Sequence, residues 1–266
     1  MPLVVCATPI GNLEDVTLRL LRELREADVV LAEDTRHTRA LLSRHGVSAR
    51  LVSYHEHNEA KRTAEVLPRL EAGERVALVS DAGLPGINDP GARLVRAALE
   101  TAVPVTVVPG PSAVETALVA SGLVGERYQF VGYLPRGEQA LLELGKKLAT
   151  WPWPVVAFES PQRLPRSLRV LARAIPDRPA AVCRELTKRF EEVARGSVAE
   201  LAGRFGEGVR GEITFVLGEA EVSTDDGASA AAVAELVAAG VSRRQAAELV
   251  SRLTGVPRNR LYRSSL

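Results

Sequence analysis

Short apolar runs alternate, over roughly the first 110 positions, with stretches in which apolar residues return every three or four places. The runs Leu3 to Ala7, Val29 to Ala32, Leu51 to Tyr54, Val76 to Val79 and Val105 to Val108 read as buried strands. Between them, stripes such as Leu18, Leu20, Leu21 and Leu24 predict helices lying on a sheet, and Thr17 is placed to cap the first. Further helices are predicted over Thr35 to His45, Asn58 to Glu71 and Ala92 to Leu99. Strict alternation with apolar strands predicts an α/β fold, its sheet parallel and covered on both faces.

After Pro109-Gly110-Pro111-Ser112-Ala113, which reads as a domain junction, the pattern is more mixed. Strands are predicted at Gln129 to Gly132, Val155 to Glu159, Ala181 to Cys183, Glu192 to Arg195 and Ile213 to Leu217. Helices are predicted at Val114 to Ser121, Glu138 to Ala149, Pro161 to Ala174 and Val198 to Phe205, with Pro161 at a first helical position. Thr224 to Ser229 reads as a linker. Beyond it, helices Ala230 to Ala239, stopped by Gly240, and Ser242 to Leu253 resemble a helix-turn-helix. The expected organisation is two α/β domains, 1–110 and 111–221, with a ligand cleft between them and a helical extension at 228–266.

The charge balance, 34 Lys and Arg against 33 Asp and Glu, gives no global pull on a polyanion, so such a partner must be met by a local patch. One patch is visible: Arg243, Arg244, Arg252, Arg258, Arg260 and Arg263 surround the single acid Glu248, as RNA phosphates would require. A solvated helix pair gives the same pattern. Cys6 and Cys183 lie in apolar runs without metal or disulfide spacing, which points to a reducing cytoplasm. No signal peptide is read at the start and no apolar run is long enough to span a bilayer, so no membrane partner is expected.

Val79 to Gly91 is the densest candidate for chemistry. Its three glycines and two prolines follow an apolar strand and precede a helix, the position at which open α/β sheets bind ligands. A dinucleotide reading of the earlier turn fails, since Gly11 stands alone there although Glu33 and Asp34 lie where a ribose-binding acid would fall. His55-Glu56-His57 lacks a third ligand nearby, so no metal is expected.

Six motifs then stand in one order: Ala7 to Asp15, Glu33 to Arg39, the central loop, Pro109 to Ala113, Glu159-Ser160-Pro161 and Arg184 to Lys188. Together they resemble the tetrapyrrole methylase superfamily, and within it the bacterial branch that methylates the ribose 2′-hydroxyl of a decoding-centre cytidine in 16S ribosomal RNA. The resemblance runs from end to end. It implies S-adenosylmethionine as methyl donor, bound between two α/β domains, the small ribosomal subunit as partner, and a homodimer. Carried over by motif, the donor contacts fall on Pro9, Asp81, Ala82, Gly83, Gly86, Ser112 and Ala113, and on Phe158, Glu185 and Leu186 with Glu212 beside them. Leu84 and Asn88 stand where the family usually has threonine and serine, and Gln162 where it has histidine, so side-chain roles do not carry over there.

A base near the ribose hydroxyl is expected among Lys188 and Glu159, with Glu185, Asp34 and His37 as alternatives. Arg36 and Arg39, one helical turn apart, are candidates for gripping a phosphate. Other readings stay open at this point: a tetrapyrrole or a translation-factor histidine derivative as methyl acceptor, or a helix-turn-helix regulator with an α/β sensor.

Overall fold

The computed structural model describes residues 2–220, 226–256, 258 and 261–262. Its first half runs β1 (Leu3–Cys6), α1 (Leu18–Glu26), β2 (Val29–Ala32), α2 (Thr35–Arg44), β3 (Leu51–Ser53), α3 (Glu59–Glu71), β4 (Val76–Val79), α4 (Ala92–Glu100) and β5 (Val105–Val108). The strands pair in the order β3-β2-β4-β1-β5, parallel throughout. Thr17 caps α1 by accepting the Leu20 N–H at 3.0 Å.

Leu20 and Leu24 of α1 and Leu42 of α2 pack on Val4, Cys6, Val30 and Ala32. On the opposite face, Leu3, Val5, Leu31 and Leu78 meet Val66 and Leu70 of α3 and Leu94 and Ala98 of α4. The neighbouring strands β1 and β4 therefore send their helices to opposite faces, which opens a crevice at their carboxyl ends.

The second half runs α5 (Ala113–Ser121), β6 (Gln129–Tyr133), α6 (Glu138–Leu148), β7 (Val155–Glu159), α7 (Leu164–Ala172), β8 (Pro179–Arg184), β9 (Glu192–Ser197), α8 (Val198–Arg204) and β10 (Ile213–Leu217). Its sheet has the order β6-β7-β10-β8-β9, with β6 and β7 parallel and the other pairs antiparallel. Helices α6 to α8 cover one face through Leu141, Leu164, Leu168, Leu171, Val198 and Leu201. The other face, with Val156, Ala181, Cys183 and Val216, receives Ala117 and Leu118 of α5 and also Ile10 from the loop after β1. That shared apolar cluster holds both sheets in one compact unit, Met1–Glu219.

Helix α7 starts later than the sequence suggests. Pro161 lies in a turn and not at a first helical position; the Leu164 N–H reaches Ser160 O at 3.0 Å, and Pro165 takes the early position that needs no N–H.

The second unit, Ala220–Leu266, contains α9 (Asp226–Ala238) and α10 (Arg243–Thr254). Val233, Ala246, Ala247, Val250, Val256 and Leu261 form its core, and Ser242 caps α10. The stretch expected to be linker up to Ser229 is helical from Asp226, and buried Ser229 extends the packed face.

Cys6 on β1 and Cys183 on β8 are free and buried, and burial pushes both thiols up to about 12. Among the described residues no helix is long and apolar enough to cross a membrane.

Candidate active site

Three loops meet at the crevice. Thr8 and Gly83 exchange backbone hydrogen bonds, N–H to O, of 2.8 and 3.1 Å, and the Thr8 hydroxyl donates to Ser80 O at 3.1 Å. The Ala7 N–H reaches Val108 O at 3.1 Å, and Gly110 lies so close that a Cβ there would stand 3.0 Å from the Ala7 Cβ. Pro9, Asp81, Ala82, Gly83 and Ser112 are thereby brought to one rim, with Gly86 further along the central loop. Gly91 closes that loop at φ +139°, where a Cβ would be 2.9 Å from Leu78 Cδ2. Only glycine meets both demands. Glu59 of α3 accepts the Gly91 N–H at 3.2 Å and ties down this end. Ser112 donates its hydroxyl to Glu115 in the first turn of α5, beside Ala113.

Acids line the same rim. Asp81 accepts the Asp34 N–H at 3.0 Å, and Glu33 accepts the Asp81 N–H at 3.4 Å, linking the ends of β2 and β4. Asp34 caps α2 and pairs with Arg36 at 2.7 Å; hydrogen bonds from Arg36 hold its carboxyl well below the usual range. That argues against Asp34 as a base and leaves Arg36 tied to its own helix, with Arg39 exposed one turn on. Asp89 behaves differently. Burial, with the charges of Glu33 and Asp81 beside it, pushes this half-buried carboxyl up to about 7. Burial likewise raises Glu33. Asn88, next in the loop at φ +60°, abuts the second sheet: its Oδ1 lies 3.0 Å from where a Cβ on Gly132 would be.

Across the crevice, Phe158 packs edge-on against Phe130 and Tyr133, ring centroids 4.9 and 5.6 Å away. Tyr133 is 59% exposed and offers an open aromatic face. The turn after β8 carries two non-glycine residues in the left-handed region, Glu185 at φ +53° and Thr187 at φ +65°. Such backbone costs about 1–2 kcal/mol per residue and persists where surroundings impose it. Here the Asn12 N–H donates to the Thr187 hydroxyl at 2.9 Å, and Glu185 accepts the Glu212 N–H at 2.9 Å. Gly11 makes the approach possible: a Cβ would stand 2.5 Å from Lys188 Cγ and 2.8 Å from Leu186 O. Leu186 turns its side chain into the apolar cluster with Ile10, so its backbone is what faces Gly11.

Both favoured bases are engaged by their surroundings. Glu159 is buried; it accepts the Ser160 N–H at 2.7 Å and the Ser167 hydroxyl at 2.5 Å and pairs with Arg163. Its oxygens are committed to holding the end of β7 to α7. Lys188 reaches Glu185 at 3.1 Å and Glu212 at 3.0 Å. Partial burial pulls its pKa down, but hydrogen bonds to Glu212 and Glu185 outweigh it and raise the ammonium. Lys188 is therefore a cation at neutral pH. His55 is held by Asn58 at 3.1 Å, and His45 by Leu13 O at 2.7 Å.

A model of the tetrapyrrole (corrin/porphyrin) methylases matches residues 2–202. The chain belongs to the tetrapyrrole methylase family. It is accordingly a methyltransferase, and a second model, of the RsmI C-terminal HTH domain, matches residues 224–266. A protein named ribosomal RNA small subunit methyltransferase I from Micromonospora olivasterospora is 46% identical over 98% of this chain and 85% of its own length. One of the same name from Escherichia coli O157:H7 is 38% identical over 99% and 94%. The uroporphyrin-III C-methyltransferase of Thermus thermophilus, solved with S-adenyl homocysteine, shares the fold at TM-score 0.59 and 23% identity, over 82% of this chain and 97% of its own. A diphthine synthase shares it at TM-score 0.62 and 16% identity, over 81% and 89%.

In this methylase Pro9, Asp81, Ala82, Gly83 and Ser112 are joined by the loop contacts around Thr8, and Glu185, Leu186 and Lys188 approach them at Gly11, whereas Arg243, Arg244, Arg252 and Arg258 belong to the C-terminal unit. Arg244, Arg252 and Arg258 are exposed there, and Arg243 is half-buried. Arg260 and Arg263 lie outside the described residues. Sequence reasoning missed Asp89, which reads as a turn-former before Pro90-Gly91. The adjacency of β2 and β4, which masses the acids, would have exposed it.

Proposed function

We propose that this methylase transfers a methyl group from S-adenosylmethionine to the ribose 2′-hydroxyl of a decoding-centre cytidine in 16S ribosomal RNA. The observation that carries the reading is the joining, in one chain, of a methylase unit to a C-terminal module of the RsmI type, with relatives named for the small-subunit RNA along nearly the whole length. Neither a tetrapyrrole nor a protein side chain calls for the exposed arginines of that module.

The crevice fits the donor. The Thr8–Gly83 pair holds the loop so that exposed Ala82 and part-exposed Gly86 present backbone to polar atoms, the Phe158 edge suits an adenine, and the Asp81 and Glu33 side of the rim suits a cationic amino acid portion. When bound, S-adenosylmethionine supplies an electrophilic methyl carbon with a neutral thioether as leaving group. The protein's part is alignment, worth about 7–11 kcal/mol in well-oriented systems, and removal of the hydroxyl proton. The Asp89 carboxylate suits that proton, because its pKa of about 7 leaves a large basic fraction at neutral pH. The Lys188 ammonium and the exposed ring of Tyr133 position the ribose and its base. Exposed Val107 on edge strand β5, with Val119 and Val124 after it, supports a homodimer. A ribosomal substrate supports a cytoplasmic location.

The test is labelled methyl transfer to small subunits lacking the modification, followed by nucleoside analysis. The expected product is 2′-O-methylcytidine; a chain that binds the donor and labels no RNA overturns the reading.

A further inference from the structure

A second concavity lies in the same unit, outside the crevice. Between the approach to α7 and the turn after α8 runs a groove of about 430 Å³, lined by Pro161, Gln162, Pro165, Arg169, Val209 and Arg210, with Gly206, Glu207 and Gly208 between. Its volume is in the lower part of the range for small-ligand clefts, about 300–1,000 Å³, and suits one nucleotide. Pro161, Pro165 and Val209 make an apolar wall. Gly208, at φ +92° and with Pro165 Cγ 3.8 Å from where its Cβ would be, keeps the facing side low. Gln162 brings an exposed amide able to donate and accept, and Arg169 and Arg210 bring two exposed guanidinium groups.

The groove is continuous with the crevice along the chain. Pro161 is two residues from Glu159, and Arg210 precedes Gly211, whose Cβ would lie 2.5 Å from Glu185 Cγ. Arg184 donates to Arg210 O at 3.4 Å and anchors that edge. Whatever occupies the groove therefore borders the Lys188, Glu185 and Glu212 cluster. Glu207 on the lining disfavours the doubly charged end of a free nucleotide more than a singly charged phosphodiester.

We infer that this groove holds an RNA nucleotide flanking the methylated ribose, its phosphates on Arg169 and Arg210, its base against Pro161 and Pro165, and a base edge on Gln162. The inference rests on the RNA substrate proposed above. It gives the methylase unit its own hold on RNA, separate from the C-terminal arginines.

The experiment is steady-state methylation of small subunits by full-length R169A/R210A over a range of salt, with donor affinity measured alongside. The apparent KM should rise about tenfold at moderate salt with kcat within about threefold, and the slope of log kcat/KM against log salt should fall by roughly 1.4, about 0.7 per single-strand phosphate contact. R169K/R210K should restore most of that slope, which a merely structural defect would not allow. Q162A should change the preference for the flanking base and leave the slope alone. Unchanged KM and slope in R169A/R210A overturn the inference. So does inhibition by a free nucleoside monophosphate that disappears in that variant, since the groove would then serve a small ligand. If the parent protein methylates no RNA, the proposed function fails first; direct RNA binding by the same variants still decides the groove.

Discussion

At the carboxyl ends of β1 and β4 the crevice is edged by backbone, with the carboxyl groups of Asp81 and Glu33 beside it, whereas around β7 and β8 it is edged by ion pairs and rings. The first side rests on the Thr8–Gly83 exchange, a glycine-rich loop and the anchoring of Gly91 by Glu59. The second rests on Lys188 between Glu185 and Glu212, and on Phe158 among its neighbours. A backbone surface is fixed by φ and ψ and tolerates side-chain change, as at Leu84 and Asn88. A surface of ion pairs is set by a few side chains and responds to pH and to each substitution. The difference suits the proposed assignment, in which the loop backbone holds much of the donor while Lys188 and Tyr133 on the other side position the acceptor.

The contact that joins the two sides is the sharpest place to break them. Gly11→Val drives new atoms into Leu186 O and Lys188, so kcat/KM should fall by about 100-fold or more and stability by roughly 1–3 kcal/mol. Kinetics and thermal melting check this; a variant within threefold of the parent would show that the crevice does not depend on that approach.

Asp89→Asn tests whether the backbone side also supplies the chemistry. Activity should drop by about 10²- to 10⁴-fold at pH 8; the parent should show a rise of kcat/KM through about pH 7, and the variant should lack it. The sign for stability is opposite. A carboxyl with a raised folded pKa favours the fold below its unfolded pKa, near 3.8, and loses that advantage as pH climbs to about 7. A neutral amide in its place avoids that loss, so the variant should melt higher at pH 8, by the equivalent of about 1 kcal/mol once partial exposure is allowed for. Inactivity with unchanged melting would separate Asp89 from its acidic neighbours.

On the other side, Lys188→Ala should cost roughly tenfold in kcat/KM, mostly in KM for RNA, and Lys188→Arg should recover part of it. Because the ammonium is stabilised, the parent should show no neutral limb from this group; a rate that required deprotonated Lys188 would contradict the pairing. Glu159→Gln is expected to change activity least, within about threefold, while lowering stability by roughly 1–3 kcal/mol through its buried partners. A large loss of kcat in a stably folded Glu159→Gln would return that residue to the chemistry.

The parallel sheet was legible because its information is local: four-residue apolar runs, helical stripes between them, and a cap such as Thr17. The glycine loops were legible for the same reason. What the residues do to one another was not. Asp89 acquires its titration range first from burial and then from the charges of Glu33 and Asp81, and Glu33 is brought near only by the pairing of β2 with β4. Glu159 looks like a free acid until Ser167 and Arg163 are seen on it, and Lys188 like a free base until Glu212 arrives from the residue before β10. The start of α7 was misplaced because both Pro161 and Pro165 satisfy the rule for early helical prolines, and the turn at Ser160 chooses between them.

The two cysteines supply a use for this architecture that catalysis does not. Cys6 ends an interior strand of the all-parallel sheet and Cys183 lies in an interior strand of the mixed one, both shielded and held as thiols. A protonated, water-excluded sulfur is inert to alkylation and oxidation, so each becomes reactive only when its own strand opens. The two labelling rates would time the opening of each sheet separately. Equal rates would mean that the Ile10 cluster makes the whole unit open as one body; unequal rates would identify the sheet that yields first.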